Sequence, residues 1–303
     1  MNRPTVFLTG GTGALGKLIY DRLAREQVKI IALFRNRRLE QVRAGTESVQ
    51  GDVGEKYFGW SKEKYLETAH RVNIILHAAA STRFDLTIDV ARMSNVETVR
   101  SMIEFGRACP NLRRLGHVST AFVAGKRTGV IWESELRHYQ GFVSTYEQSK
   151  YEAEMLIRKE KGDLPMAVFR PSLVDSAKAL AWSLELIKKR WLPVLPGNAH
   201  ERLDIIDGEV AADRIIRLIL APDVSQETFH ICQGEDSPTL AQIAGGGQTS
   251  FCGDILTYEA RVKEAVCRNP ELQRVYAKAN SFLPQLAYPK IFDNSHTRRG
   301  LQL

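Results

Sequence analysis

Cysteine is scarce in this chain, with four residues in 303: Cys109, Cys232, Cys252 and Cys267. No C-x-x-C pair occurs and the histidines do not cluster beside these thiols, which argues against a disulfide framework and against a metal site. The four read as reduced, mostly buried thiols of a cytoplasmic protein. Long apolar runs are missing too, and none approaches the ~20 residues of a membrane span. Residues Met1 to Gly10 pass directly into a strand and a glycine turn, which in this reading leaves no room for a signal peptide. A Lys/Arg run interleaved with aromatics is also lacking, so nucleic acid is not an expected partner. What is present is ordinary globular composition, 44% hydrophobic and 25% charged, in a chain long enough to bury a full core. A formal net charge of +7 suits anionic partners such as a phosphorylated cofactor, an acidic carrier protein or coenzyme A. A solvated basic surface accounts for it equally.

Short apolar runs alternate with helical stretches through the first half. Thr5–Thr9, Lys29–Phe34, Val72–Leu76, Leu115–Ser119 and Met166–Phe169 read as strands, and Leu15–Glu26, Val90–Ala108 and Tyr146–Lys161 as helices. The alternation predicts an α/β fold, a doubly wound parallel sheet of Rossmann type with both faces covered. After Pro171 the rhythm changes. Helices are expected at Ala179–Arg190 and Val210–Leu220, and short strands at Leu203–Ile206 and Thr228–Cys232. A glycine-rich loop suited to a lid is expected at Ala244–Gly253, one long helix at Tyr258–Ala279, and irregular chain from Pro284. The expected division is a dinucleotide-binding core, residues 1–175, and a smaller C-terminal substrate-binding region, 176–303, partly folded back onto it.

The first strand leads into Gly10-Gly11-Thr12-Gly13-Ala14-Leu15-Gly16. Gly10 allows a tight turn, Gly13 lets backbone approach a pyrophosphate, and Gly16 lets the helix pack close to the strand. Amides at the helix N-terminus then meet phosphate charge. The strand–turn–helix context is what gives the glycine pattern weight. At the end of the second strand an enzyme using NAD places an acid for the ribose hydroxyls. Here the chain reads Phe34-Arg35-Asn36-Arg37-Arg38. Guanidinium groups bind a 2′-phosphate bidentately where an acid repels it. The expected cofactor is therefore NADP(H), with Arg35 the first choice of phosphate ligand and Arg38 the second. Gly51-Asp52-Val53 has the form of a turn after a strand. Asp52 suits either an adenine amino group or an ordinary turn.

Tyr146 and Lys150 stand four residues apart at the start of a helical segment, so both fall on one face. An ammonium there stabilises a tyrosinate and reaches toward a nicotinamide ribose. The phenol donates a proton to an oxygen that gains charge as hydride arrives. A second hydroxyl is needed to fix that oxygen. Ser119 and Thr120, at the end of a central strand, alternate in direction, so only one of them faces the reaction.

Taken together, Thr9 to Gly16, Gly51-Asp52-Val53, His77-Ala78-Ala79, Asn95-Val96, Val118-Ser119-Thr120, Tyr146-x-x-x-Lys150 and Arg170-Pro171-Ser172 resemble an extended short-chain dehydrogenase/reductase. They occur in the order of that family and cover roughly residues 5 to 175. The resemblance implies that Thr120 takes the catalytic Ser/Thr place and that Asn95 is the helix asparagine supporting a water and the lysine. It implies as well that Pro171, Ser172 and Leu173 line the nicotinamide, with Ala78, Ala79 and Val53 at the cofactor. The stretch from His117 to Gly125 and that from Phe169 to Val174 resemble the thioester reductase and fatty acyl-CoA reductase branch, also called male-sterility-like. Members of that branch use NADPH to reduce an acyl thioester to aldehyde or alcohol. Two departures are present: Asp175-Ser176-Ala177-Lys178 lacks the expected glycine-rich turn, and Glu209 stands where Asp is commoner. Rival readings are an alcohol dehydrogenase or ketoreductase, a nucleotide-sugar epimerase or dehydratase of the same superfamily, and a nonenzymatic NADPH-binding regulator. Lys188, Lys189, Arg190 and Arg202 suit the pyrophosphate of a sugar nucleotide, and suit a helix surface equally. The acyl group, the product and the oligomeric state are not encoded in any of these motifs.

Overall fold

The computed structural model describes residues 3–36, 42–175, 194–222, 227–245, 250–279 and 283–303. Seven strands make the central sheet: β1 (Thr5–Thr9), β2 (Lys29–Phe34), β3 (Thr46–Gln50), β4 (Ile74–His77), β5 (Arg114–Val118), β6 (Met166–Pro171) and β7 (Thr228–Ile231). All pairings are parallel, and the spatial order is β3-β2-β1-β4-β5-β6-β7. The chain reverses its direction of winding between β1 and β4, and a crevice forms outside the carboxyl ends of strands at such a point.

Period-two alternation feeds two cores. Val6 and Leu8 face one side of the sheet, where helices α1 (Ala14–Leu23) and α5 (Gly208–Leu220) bury Ile19, Leu23, Ile215 and Ile219. Phe7 faces the other, against Ala69 of α2 (Lys62–Arg71), Phe105 of α3 and Ile157 of α4 (Thr145–Glu160). Helix α3 runs through Ile88–Arg92, a π-helical turn at Met93–Glu97, and Thr98–Ala108. The π-turn carries Asn95, and such turns are common where a side chain must be re-aimed.

Several expectations need correction. β3 is the strand expected before the Gly51-Asp52-Val53 turn, but it is missing from the apolar runs: its sequence Thr-Glu-Ser-Val-Gln is polar because it lies at the sheet edge and is half exposed. The region expected as one helix is two, α6 (Ile255–Arg268) and α7 (Leu272–Ala279), because Pro270 cannot continue the backbone ladder. The chain after Pro284 is more regular than expected. Lys290–Phe292 pairs in parallel with Gly129–Ile131, and Ser295–Leu301 is a helix, α8. The buried Glu133 carboxylate accepts from the backbone amides of His230, His296 and Thr297, which fastens α8 to the sheet. Thr228–Ile231 is the edge strand of the main sheet, so the second half of the chain completes the first. The expected helix Ala179–Arg190, including Lys188, Lys189 and Arg190, lies outside the described residues, as do 246–249 of the proposed lid. Of that loop, Ser250–Phe251 pairs with Val194–Leu195. Among the described residues no helix is long and apolar enough to cross a membrane.

Candidate active site

Gly10 adopts φ +77°, a left-handed conformation that a side chain opposes. A Cβ on Gly10 would lie 2.4 Å from the backbone of Ala78 and Ala79, and one on Gly16 would lie 1.9 Å from the Gly10 carbonyl oxygen. These two glycines let β1, α1 and the β4 terminus close on one another. Gly13 differs: its Cβ would meet only the Gly10 carbonyl oxygen at 3.4 Å, and it caps α1 with no side chain over the helix end. The first turn of α1 carries no acid. A free helix N-terminus with a cradle of glycines suits a phosphate.

A cavity of ≈ 300 Å³ opens beside this turn. Gly13, Ala14, Leu15, Gly16 and Ala78 border it on one side; Thr120, Tyr146, Pro171, Ser172 and Leu173 border it on the other. All ten were expected from sequence. Ser172 Oγ is buried with no hydrogen-bond partner among the described residues, leaving an unsatisfied polar atom on a residue that borders the cavity. The residues present therefore fit a nicotinamide dinucleotide.

The two neighbouring hydroxyls diverge. Ser119 Oγ donates to the buried Glu154 Oε1 at 2.5 Å, and Glu154 holds Arg170 through contacts of 2.7 to 3.1 Å. Thr120 Oγ1 lies 3.4 Å from the Pro171 carbonyl oxygen and interacts with the Tyr146 phenol. Burial raises the pKa of that phenol and Glu147 adds to the rise, while the Thr120 hydroxyl opposes both, so Tyr146 keeps its proton at neutral pH.

Lys150 is buried and does not border the cavity directly. Its Nζ donates to Val118 O at 2.8 Å and lies 3.1 Å from His117 Nε2. Burial lowers its pKa to about 7, against the pull of Glu154. Asn95 makes no direct hydrogen bond to Lys150 among the described residues. Asn95 instead accepts from Ser81 N at 2.8 Å and donates to Ser81 O and to Ser149 Oγ at 2.9 Å, so it ties the loop after β4 to α4. The π-turn re-aims it that way.

The remaining expected cofactor residues lie along the rim of β2 and β3. Arg35 is exposed, its Nη1 3.6 Å from Asp52 Oδ2. Asp52 Oδ1 accepts from Gly54 N at 2.9 Å, an ordinary turn contact. The Val53 side chain is buried in the core, which leaves its backbone for any ligand. Thr12 is exposed, Ala79 is half-buried, and Arg38 lies outside the described residues. Sequence reasoning missed Phe84, Phe122, Glu147 and Gln285, which also border the cavity. Glu147 follows Tyr146 directly, yet nothing in its identity marks it as buried.

Residues 38–215 match the family described as male sterility protein. The chain belongs to that family. It stands in the thioester reductase branch of the extended short-chain dehydrogenases/reductases, as the motifs imply. A relative named fatty acyl-CoA reductase wat, from Drosophila melanogaster, is 29% identical over 219 residues, 56% of this chain and 42% of that protein. The chain thus spans less than half the length of that relative. Among solved structures, the terminal R domain of the myxalamid PKS-NRPS pathway superposes with a TM-score of 0.80 at 21% identity, covering 99% of this chain and 85% of the other. The reductase domain of a nonribosomal peptide synthetase from Mycobacterium tuberculosis gives 0.68 at 20% identity, with coverage of 99% and 85%. At those identities the likeness is one of fold. Family and fold together place the chain in the short-chain dehydrogenase/reductase superfamily, with a fold suited to a nicotinamide dinucleotide.

Proposed function

We propose that this protein is a cytoplasmic, NADPH-dependent reductase of acyl thioesters, presented by coenzyme A or by an acyl carrier protein, that forms an aldehyde or an alcohol. The observation that carries the reading is the convergence of Thr120 and Tyr146 on a single cavity that the glycine turn also borders. Gly10 to Gly16 would hold the pyrophosphate of NADPH, Arg35 its 2′-phosphate and Pro171 to Leu173 its nicotinamide; the bound cofactor would supply the hydride for the carbonyl carbon.

The chain's own residues handle the oxygen. Thr120 and Tyr146 donate hydrogen bonds to it as negative charge develops, where a site with little water makes them strong. Tyr146 is suited to give up a proton because burial keeps it protonated until a stronger base appears. Lys150 supplies positive charge behind them. Asn95 holds the Ser81 loop, and with it the wall containing Ala80 and Thr82. With a thioester, the oxygen's proton returns to Tyr146 as the carbonyl re-forms, the carbon–sulfur bond breaks with its electron pair on sulfur, and the thiolate leaves.

The test is NADPH oxidation with a panel of acyl-CoAs, carrier-bound acyl groups, aldehydes, ketones and nucleotide sugars. Acyl thioesters are expected to be consumed, and Tyr146→Phe to lower turnover by roughly 10²–10⁴ with cofactor binding retained. Turnover confined to simple ketones or nucleotide sugars sinks the thioester assignment. Full activity in Tyr146→Phe sinks the proton-donor assignment.

A further inference from the structure

At the carboxyl ends of three adjacent strands, Thr9, His77 and His117 stand in register, each the cross-strand partner of the next. Thr9 Oγ1 lies 2.7 Å from His77 Nδ1. The His77 and His117 rings stack with centroids 5.5 Å apart and planes 30° apart. His117 Nε2 then meets Lys150 Nζ at 3.1 Å. All four side chains are buried, none more than 1% exposed.

We infer that His117 is the positioning residue for Lys150, with its Nε2 accepting a hydrogen bond from the ammonium and its ring held in place by His77. The inference rests on the reading of Lys150 as part of the reductase machinery. It assigns roles to two histidines that the phosphate turn and the Tyr-x-x-x-Lys pair leave unused.

A donor count supports it. An ammonium carries three N–H bonds and no acceptor. Val118 O takes one and His117 Nε2 takes a second, which leaves one for a ligand. His117 accepts only as a neutral ring with its proton on Nδ1. Burial, then the charge of Lys150, then His77 all push its pKa well down, so the ring is neutral. Burial and Lys150 lower His77 to about 3, so it adds no charge. The other charged groups nearby are Glu154, one turn along α4, and Arg170 on β6, which is paired to Glu154. Without His117, Lys150 keeps one backbone acceptor and a distant carboxylate that Arg170 already neutralises. Its charged form then loses a stabilising partner, and its side chain gains freedom to turn.

The experiment uses the full chain labelled with ¹⁵N-lysine and ¹⁵N-histidine. In the unmodified protein, His117 is expected as the neutral tautomer protonated on Nδ1. A tautomer protonated on Nε2, or an imidazolium at pH 7, overturns the proposal without any variant. Next, Lys150 Nζ is titrated in the unmodified protein, His117→Leu and His117→Gln. A hydrogen bond from a charged donor, ~1.5–3 kcal/mol, corresponds to about a 10- to 100-fold change in the proton equilibrium. His117→Leu should therefore titrate at lower pH by that factor, while His117→Gln, which retains an acceptor, stays near the unmodified value. Equal titration in the unmodified protein and His117→Leu overturns the proposal, as does His117→Gln behaving like His117→Leu. These readings need no substrate, so they stand apart from the reductase assignment. Where a reducible thioester is in hand, the alkaline limb of kcat should move to lower pH in His117→Leu; an unmoved limb counts against the proposal.

Discussion

Ser119 donates its hydroxyl to the buried Glu154 at 2.5 Å, whereas its neighbour Thr120 interacts with Tyr146. One peptide step separates a hydroxyl paired to a carboxylate from the one proposed to be catalytic. Ser119→Ala leaves Glu154 short of a donor while Arg170 still holds it. The expected result is destabilisation of about 1–3 kcal/mol with turnover per folded molecule nearly kept. Thr120→Val keeps the volume but loses the hydroxyl that contacts Pro171 O and caps Phe122 N, so a stability loss of about 1 kcal/mol is expected while kcat per folded molecule falls ~10²-fold or more. Denaturant melts alongside turnover decide the matter. A crippled Ser119→Ala beside a nearly silent Thr120→Val reverses the two roles.

The buried Lys150 makes stability depend on pH. Its folded pKa is lowered to about 7 by burial, while an unfolded lysine titrates near its ordinary value, ~10.4. Between those values the unfolded chain binds the extra proton, so stability rises with pH across that window. Below pH 7 both states are protonated and the penalty is felt in full. In the absence of cofactor, the unmodified protein should gain stability from pH 7.5 to 9.5 relative to Lys150→Met, which lacks the titrating group. Parallel stability curves for the two proteins over that range rule out the shifted lysine.

Much of this arrangement is legible in the sequence, and the reasons differ by element. β1 and β2 are central strands buried on both faces, so they read as unbroken apolar runs. β3 escapes such a reading because an edge strand buries too little to need one. The Tyr146 and Lys150 spacing is local, and helix geometry alone places both on one face of α4. Glu154, four residues beyond Lys150, shares that face, but its pairing with Arg170 joins a helix to a strand and has no local signal. Asn95 was recognisable by position, while its partners were not, because a π-turn shifts a side chain without changing composition. Gln285 reaches the cavity from a segment 139 positions after Tyr146, where neither periodicity nor a motif marks it.

Arg35 is the described cation at the β2 terminus, exposed and 3.6 Å from Asp52. Across that distance in water the pair is weak, so the guanidinium is free to turn to a 2′-phosphate. NADPH should bind more tightly than NADH, by about 10–100-fold if the contact contributes ~1.5–3 kcal/mol. Arg35→Asp should erase or reverse that order. Calorimetric titration of both cofactors into both proteins checks it. Equal affinities in the unmodified protein end the case for NADPH.

Gly13 and Gly16 separate binding from folding. An alanine Cβ at Gly16 would sit 1.9 Å from the Gly10 carbonyl oxygen, a contact that backbone atoms cannot relieve without moving α1 off β1. Helix α1 supplies Ile19 and Leu23 to one of the two main cores. Gly16→Ala should therefore lower stability by several kcal/mol, or prevent folding, in the manner of overpacking. At Gly13 the same atom finds only one contact, at 3.4 Å, and the backbone there has an ordinary negative φ. Gly13→Ala should fold normally, with an unchanged melting temperature. The added methyl would lie at the N-terminus of α1, on the border of the cavity and in the space proposed for the pyrophosphate. Cofactor affinity should then fall by at least tenfold, because a phosphate kept from the helix amides loses its charge-assisted hydrogen bonds. Thermal melts with and without NADPH resolve the two effects: Gly13→Ala should match the unmodified protein alone and lose the cofactor-dependent rise. A Gly13→Ala protein that melts normally and keeps the full rise removes the glycine turn as the pyrophosphate site.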